Sequence, residues 1–383
     1  MLSATPAPAE RIIAHRVGQR PGHTLILVAG LHGNEPAGVV ALRRLAQRLP
    51  PASDCGGELL ALAGNLAALA RGVRFIDGDL NREWWPDDVD GPVADGDSEV
   101  RERRDLLAAV EPALERAREA AIILDLHTTS GDSPPFVTLG DTLRNRAFAA
   151  AFPLPVVLGL EEQLAGTFLE YMSNRGCVTL GCEGGRHDDP AAVDRLEAVA
   201  WVALGQAGIV DPGYGPVLDA FRRLRDLGRG HPAYLEVRYR HVVPGDRIFL
   251  MEPGFRSFQR VSAGDRLGRW SDGEPVHAPE SGRILLPLYQ GVGDDGFFIV
   301  RSVRRFWLRL SSLLRRLRAD RFAPLLPGVR RHPYMPNAVV VDRRIARWRT
   351  VEIFHLLGYR RAVDQGHELI LARRHFDTPA DWR

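Results

Sequence analysis

The run Thr24-Leu25-Ile26-Leu27-Val28-Ala29, followed at once by Gly30-Leu31-His32-Gly33-Asn34-Glu35-Pro36, leaves this chain few ways to fold. An unbroken apolar run of strand length suits a strand buried on both faces, as in a parallel sheet. The glycines supply a tight turn, and Pro36 suits the first position of a helix. That helix carries Val39, Val40, Leu42, Leu45 and Leu49 on its apolar side, and Pro50-Pro51 stops it.

The same alternation recurs down the chain. Glu58 to Ala63 reads as a second buried strand, and a charged helix from about Ser98 to Ala120 leads into a third, Ala121 to Leu126, which ends at His127. The polar stretch from Asp87 to Asp97 between them is a loop. A helix near Asp141 to Ala151, a strand near Val156 to Leu160, a helix near Gly166 to Asn174 and a strand from Cys177 to Cys182 follow. Asp189-Pro190 caps a long helix that reaches about Gln206. Strands alternating with helices predict an α/β fold, with a mixed sheet of substantial parallel content, helices on both faces, and functional residues at strand ends.

From about His231 the pattern changes to short strand-like pieces between Gly and Pro: Tyr234 to Val243, Arg247 to Met251, Val276 to Ala278, Gly282 to Leu288 and Phe297 to Val300. A basic amphipathic segment begins near Arg304, with Phe306, Trp307, Leu308, Leu310, Leu313, Leu314 and Leu317 at helical spacing. These shifts divide the chain into a catalytic domain at 10–228, a smaller all-β second domain at 229–303 and a C-terminal α/β extension at 304–383, whose apolar runs Ala338 to Val341 and Leu369 to Ala372 predict a folded tail. At 383 residues the chain has length for two or three compact units.

Every basic side chain is Arg, so Schiff-base and phosphate-loop lysines are excluded. Cys55, Cys177 and Cys182 are too few and too irregular for a disulfide framework or a Cys-type zinc site, which favours a reducing compartment. The stretch from Met1 has no signal-peptide pattern, and no segment offers about 18 uninterrupted apolar residues, so the expected location is cytoplasmic. A net charge of +2 gives no nucleic-acid footprint, and the arginines after Arg301 read as the wet face of a packed helix, so neither a nucleic-acid nor a membrane partner is expected.

His32, Glu35 and His127 offer two imidazoles and a carboxylate from neighbouring strand ends. Three protein ligands with a fourth position left for water is the arrangement of a catalytic zinc. A turn histidine followed by a helix-capping glutamate fits His32 and Glu35 equally well taken alone. Asp125, two residues before His127, points the same way on a strand and could hold the outer N–H of that imidazole, or cap a nearby loop. Arg74, Asn81 and Arg82 form a donor-rich cluster suited to a carboxylate, with ion pairing to Asp77 and Asp79 as the alternative. Glu183, before Gly184-Gly185, stands where a carboxylate could take a proton from water and return it to a leaving amine, although strand-end glutamates are often structural. His187 is a candidate neighbour of the site or a surface residue.

Four stretches taken together, Gly30-Leu31-His32-Gly33-Asn34-Glu35, Arg74 to Arg82, Asp125-Leu126-His127-Thr128-Thr129-Ser130 and Gly181-Cys182-Glu183-Gly184-Gly185, resemble the succinylglutamate desuccinylase and aspartoacylase family in sequence and order. This family is a branch of the zinc-carboxypeptidase-like metallohydrolases, and the likeness extends to about residue 300 through Ala278-Pro279-Glu280-Ser281-Gly282 and the run to Tyr289. The resemblance implies one Zn2+ held by His32, Glu35 and His127, with Glu183 as general base and acid. It also implies that Arg74 polarises the scissile carbonyl, that Asn81 and Arg82 hold a substrate carboxylate, and that Tyr289 reaches the site from the second domain. The family's additional arginine upstream of the catalytic glutamate has only Arg175 as a counterpart. The expected activity is hydrolysis of the amide bond of an N-acyl amino acid or a similar small carboxylate-bearing amide. A zinc carboxypeptidase acting on peptides and a non-catalytic binding protein that keeps the fold are the alternatives.

Overall fold

The computed structural model describes residues 10–89, 97–346 and 350–377. The stretch from Met1 read for targeting signals therefore lies outside the described residues as far as Ala9, and so does most of the loop between Asp87 and Asp97.

Strand β1 (Ile12–Val17) turns into β2 (Arg20–Ala29), followed by helix α1 (Ala37–Gln47), β3 (Gly56–Ala63), α2 (Leu66–Arg71) and the single turn α3 (Pro86–Val89). Helix α4 (Ser98–Arg116) leads to β4 (Ile122–Thr129), β5 (Phe136–Leu139), α5 (Leu143–Ala149), β6 (Val156–Leu158), α6 (Phe168–Asn174), β7 (Val178–Arg186), α7 (Ala191–Gln206) and α8 (Gly215–Gly228). The β-rich stretch contributes β8 (Tyr234–Val242), β9 (Phe249–Met251), β10 (Arg260–Val261), β11 (Arg266–Trp270), β12 (Pro275–His277), β13 (Gly282–Leu285) and β14 (Asp295–Ser302). The extension adds α9 (Arg305–Arg316), β15 (Val329–Arg331), β16 (Ala338–Asp342), α10 (Thr350–Leu356), β17 (Tyr359–Gln365) and β18 (Glu368–Arg373).

An eleven-stranded sheet in the order β1-β3-β2-β4-β7-β5-β6-β8-β14-β13-β10 organises the molecule. Strands β3, β2, β4 and β7 run parallel, whereas β5 returns antiparallel to β7. This is the mixed α/β sheet that the sequence pattern predicts. Four strands of the β-rich stretch, β8, β14, β13 and β10, extend the same sheet, while β9, β11 and β12 make a separate three-stranded one.

The period-two pattern of β2 explains its central place. Leu25, Leu27 and Ala29 face Val39, Leu42 and Leu45 of α1 and the apolar side of α7, whereas Ile26 and Val28 face Leu106 and Val110 of α4. With both faces covered, each such side chain contributes about 1.5–3 kcal/mol of burial. Elements with no counterpart in the sequence reading include β5, which returns beside β7, β1, which covers the free edge of β3, and α8, which packs Val217, Ala220 and Leu224 against α7.

The extension docks through charge as well as apolar contact. Its own core gathers Val339, Val341, Phe354, Leu357 and Leu371, and the basic helix α9 packs Leu314 against it. Phe306 and Leu313 of that helix stay exposed, so its apolar side is only partly covered. Asp141, at the mouth of α5, receives Arg146 at 2.5 Å, Arg360 at 2.6 Å and Arg315 at 3.3 Å. Two of these three guanidiniums come from the extension.

Candidate active site

Three parallel neighbours, β2, β4 and β7, deliver the candidate residues to one end of the sheet. Ala29 pairs with Leu126 and His127 pairs with Glu183, so the turn after β2 emerges beside the ends of both other strands. Gly30 turns the chain with φ +74°, a left-handed conformation that only glycine adopts without strain. At Gly33 a Cβ would lie 2.0 Å from the backbone of Ala68, so the turn packs flat against α2 and aims His32 inward. His127 lies inside β4 rather than beyond its end, because pairing with β7 continues past it.

His32 Nδ1 sits 2.9 Å from Glu35 Oε1, and His127 Nδ1 sits 3.1 Å from Glu35 Oε2. Ligand atoms of the three residues all lie within 4.8 Å of one another, close enough to share a metal ion. Each imidazole is held from behind through its other nitrogen: His127 Nε2 lies 2.6 Å from Asp125 Oδ2, and His32 Nε2 lies 3.1 Å from Asp79 Oδ1. Such outer carboxylates fix which ring nitrogen carries the proton and leave the inner one free to bind. The Thr128 backbone N–H donates to Glu35 Oε2 at 2.8 Å.

The charge balance of this cluster suits a cation. Burial pushes Glu35 up, but His32 and His127 outweigh it and hold the carboxyl well below its usual range. Burial likewise pushes His127 down, yet Asp125 and Glu35 raise it well above an ordinary imidazole. Glu183 is partly buried, and its Oε2, which is itself buried, has no hydrogen-bond partner among the described residues. Its burial, opposed by His127 and reinforced by Glu35 and Asp125, raises it to about 8. A positive ion among these carboxylates would stabilise the ionised form of Glu183. The donor set, two imidazoles and one carboxylate, matches what zinc accepts in catalytic sites.

The pocket opening onto this cluster has a volume of about 150 Å³ and is lined by His32, Glu35, Arg74, Asn81, Arg82, Asp125, His127 and Glu183 among others. Arg74 is held by Asp79 at 2.8 and 3.1 Å and approaches Glu35 at 3.8 Å. Arg74 thus makes the ion pair with Asp79 that the sequence offered as the alternative, and it also lines the pocket. Asn81 is anchored through Oδ1, which accepts the Phe168 backbone N–H at 2.9 Å. Arg82 bonds the Asn81 carbonyl at 2.9 Å and Asp295 at 3.3 Å, while its buried Nε has no hydrogen-bond partner among the described residues.

Residues 21–187, which contain every one of these groups except Asp295, match the family model of the succinylglutamate desuccinylase/aspartoacylase catalytic domain. That stretch is similar to the family's catalytic domain and makes up somewhat less than half of the chain. The chain is 35% identical over 130 residues to a probable aspartoacylase of Prochlorococcus marinus strain MIT 9313, a match covering 34% of this chain and 42% of the relative, so it spans under half of that relative's length. An N-acyl-aromatic-L-amino acid amidohydrolase (carboxylate-forming) of Xenopus laevis is 25% identical over 273 residues, covering 64% of this chain and 86% of the relative. Among solved structures, a succinylglutamate desuccinylase/aspartoacylase from Rhodobacter sphaeroides superposes with a TM-score of 0.57 at 23% identity, over 74% of this chain and 87% of that one, a likeness of fold.

Two residues named from the family resemblance lie elsewhere. Tyr289 does not line the pocket: its hydroxyl donates to the Glu252 carbonyl at 2.8 Å and receives the Phe255 N–H at 2.9 Å. Its strand-like neighbours Leu288 and Gln290 line the pocket instead, as alternation along an extended segment requires. Arg175 pairs with Glu111 at 2.6 Å on the surface and does not line the pocket. His187 does belong to the site, 2.7 Å from Thr128 Oγ1 and 3.4 Å from Gln290 Oε1. The sequence reading missed Asp79 as the partner of His32, since no spacing rule connects positions 32 and 79, and it missed Glu161, a buried acid in the pocket wall.

Proposed function

We propose that this protein is a zinc-dependent amidohydrolase that cleaves the amide bond of a small N-acyl amino acid. The observation that carries the reading is the convergence of His32, Glu35 and His127 within 4.8 Å, each imidazole backed by a carboxylate, in a pocket also lined by Glu183, whose Oε2 has no partner among the described residues. The relatives named as aspartoacylase and as N-acyl-amino-acid amidohydrolase support the same class of bond.

His32, Glu35 and His127 would hold the zinc, which supplies Lewis-acid polarisation of a carbonyl and acidification of water. Glu183 takes a proton from the attacking water as its oxygen joins the carbonyl carbon. It then delivers that proton to the amide nitrogen as the C–N bond breaks, leaving a carboxylate and an amine. Arg74, kept in place by Asp79, presents positive charge to the carbonyl oxygen as negative charge develops there. Asn81 and Arg82 grip the substrate carboxylate, which replaces Asp295 as the partner of the Arg82 fork.

Within this reading residues 10–228 carry the reacting groups, 229–303 close the pocket with Leu288, Gln290 and Asp295, and 304–383 buttress the sheet. The unpaired, buried Cys55, Cys177 and Cys182 favour work in the reducing cytoplasm. Metal analysis coupled to a screen of N-acyl amino acids tests the proposal. Stoichiometric zinc with release of free amino acid supports it. Release of C-terminal residues from longer peptides in place of small acyl amino acids would show a carboxypeptidase instead.

A further inference from the structure

The wall of the same pocket holds a buried acid for which the proposed chemistry has no use. Glu161 is 7% exposed and lines the cavity among Leu160, Leu164 and Leu169. Its two oxygens receive only one hydroxyl each, from Thr138 at 3.2 Å and Thr167 at 3.3 Å, and each can accept a second hydrogen bond. Among the described residues no cation lies within ion-pair distance of it, whereas its neighbour Glu162 points the other way, onto Arg374 at 2.7 Å. A carboxylate kept among leucines with two long contacts is costly unless a ligand completes it.

From these positions we infer that Glu161 is a specificity residue that selects substrates whose amino-acid side chain ends in an ammonium group. The inference rests on the amidohydrolase reading for the direction of the substrate, with its α-carboxylate on Arg82. Glu161 Oε1 lies 3.7 Å from where a Cβ of Gly181 would be, and Gly181 shares a face of β7 with Glu183 two residues on. One strand repeat is roughly 7 Å, so Glu161 stands beside the position of β7 that lies one such repeat before Glu183. An extended three-carbon side chain on the reacting amino acid spans such a gap. The pocket wall then carries one cationic group at Arg82 and one anionic group at Glu161. A dicarboxylic amino acid, which would set its second carboxylate against Glu161, is disfavoured.

Calorimetric titration of the zinc-loaded protein with L-ornithine, its neutral isostere L-norvaline and L-glutamate tests this without relying on turnover. The expected result is ornithine binding at least tenfold tighter than either of the others, with Glu161→Gln collapsing the ornithine-to-norvaline ratio to about one. A wild-type ratio near one, a preference for glutamate, absence of ornithine binding, or a ratio that survives Glu161→Gln would each overturn the assignment. Hydrolysis of the three Nα-acetyl derivatives is assayed in parallel. Selective ornithine binding with no hydrolysis of any derivative would sink the amidohydrolase reading and leave the ammonium site standing.

Discussion

Asp125 and His127 lie two residues apart on one strand, and the carboxylate Oδ2 of the first sits 2.6 Å from Nε2 of the second. Because strand side chains alternate, both project to the same face, and the shorter acid fixes the ring of its neighbour. Asp125→Asn keeps the shape and removes the charge. It is expected to weaken zinc affinity by about 10–100-fold with the fold intact, as read by chelator competition. Unchanged affinity would mean that Asp125 serves only to cap the strand.

Glu183 lies one strand over, in register with His127, and its Oε2 has no partner among the described residues. Glu183→Gln is expected to lower kcat by about 10²–10⁴-fold while zinc stoichiometry stays at the wild-type value. Activity and bound metal measured on the same preparation separate the two effects. Near-normal turnover in this variant would remove Glu183 from proton transfer.

Much of this architecture can be read in the chain. The apolar run at Thr24 to Ala29 is a strand because both its faces meet helices, and the Gly30 turn with Pro36 behind it fixes the helix that follows. The local motifs pointed to His32, Glu35, His127 and Glu183, which the fold brings to one pocket, since each stands at or near the end of a strand that periodicity reveals. What escaped depends on long-range contact. Asp79 meets His32 across 47 positions, and Glu161 faces a cavity that only the assembled sheet creates. Tyr289 was misplaced for a local reason: alternation turns it to the outer side, where its hydroxyl finds the backbone at 252–255.

The docking of the extension concentrates on Asp141, whose carboxylate faces Arg146, Arg315 and Arg360. Burial pushes that carboxyl up, but the three guanidiniums outweigh it and hold it well below its usual range. Asp141→Asn would leave buried arginines without their common anion, a loss of about 3–5 kcal/mol. Urea denaturation should show it as a lower midpoint. The half-exposed pair of Arg175 with Glu111 gives the contrast, since Glu111→Gln should cost no more than about 1 kcal/mol. Equal losses from the two substitutions would refute the buried-network account.

Glu83 makes stability depend on pH in an accessible window. Its partial burial, with the negative charges of Asp97, Glu99 and Asp79 outweighing Arg103, raises the carboxyl to about 7. The folded chain therefore holds this proton more tightly than the unfolded chain, where the carboxyl titrates near about 4.5. Between those two values folding carries the extra proton, so stability falls as pH rises, and the full penalty is present above about pH 7. Glu83→Gln removes the penalty. Its gain should be near zero at pH 4.5 and about 1 kcal/mol at pH 8, after allowance for solvent screening of a side chain that remains partly exposed. Denaturant titrations of both proteins at the two pH values measure this difference. A variant no more stable than the parent at pH 8 would show that Arg103 already neutralises the acid, and that the cluster around Asp97 and Glu99 exerts no net repulsion on it.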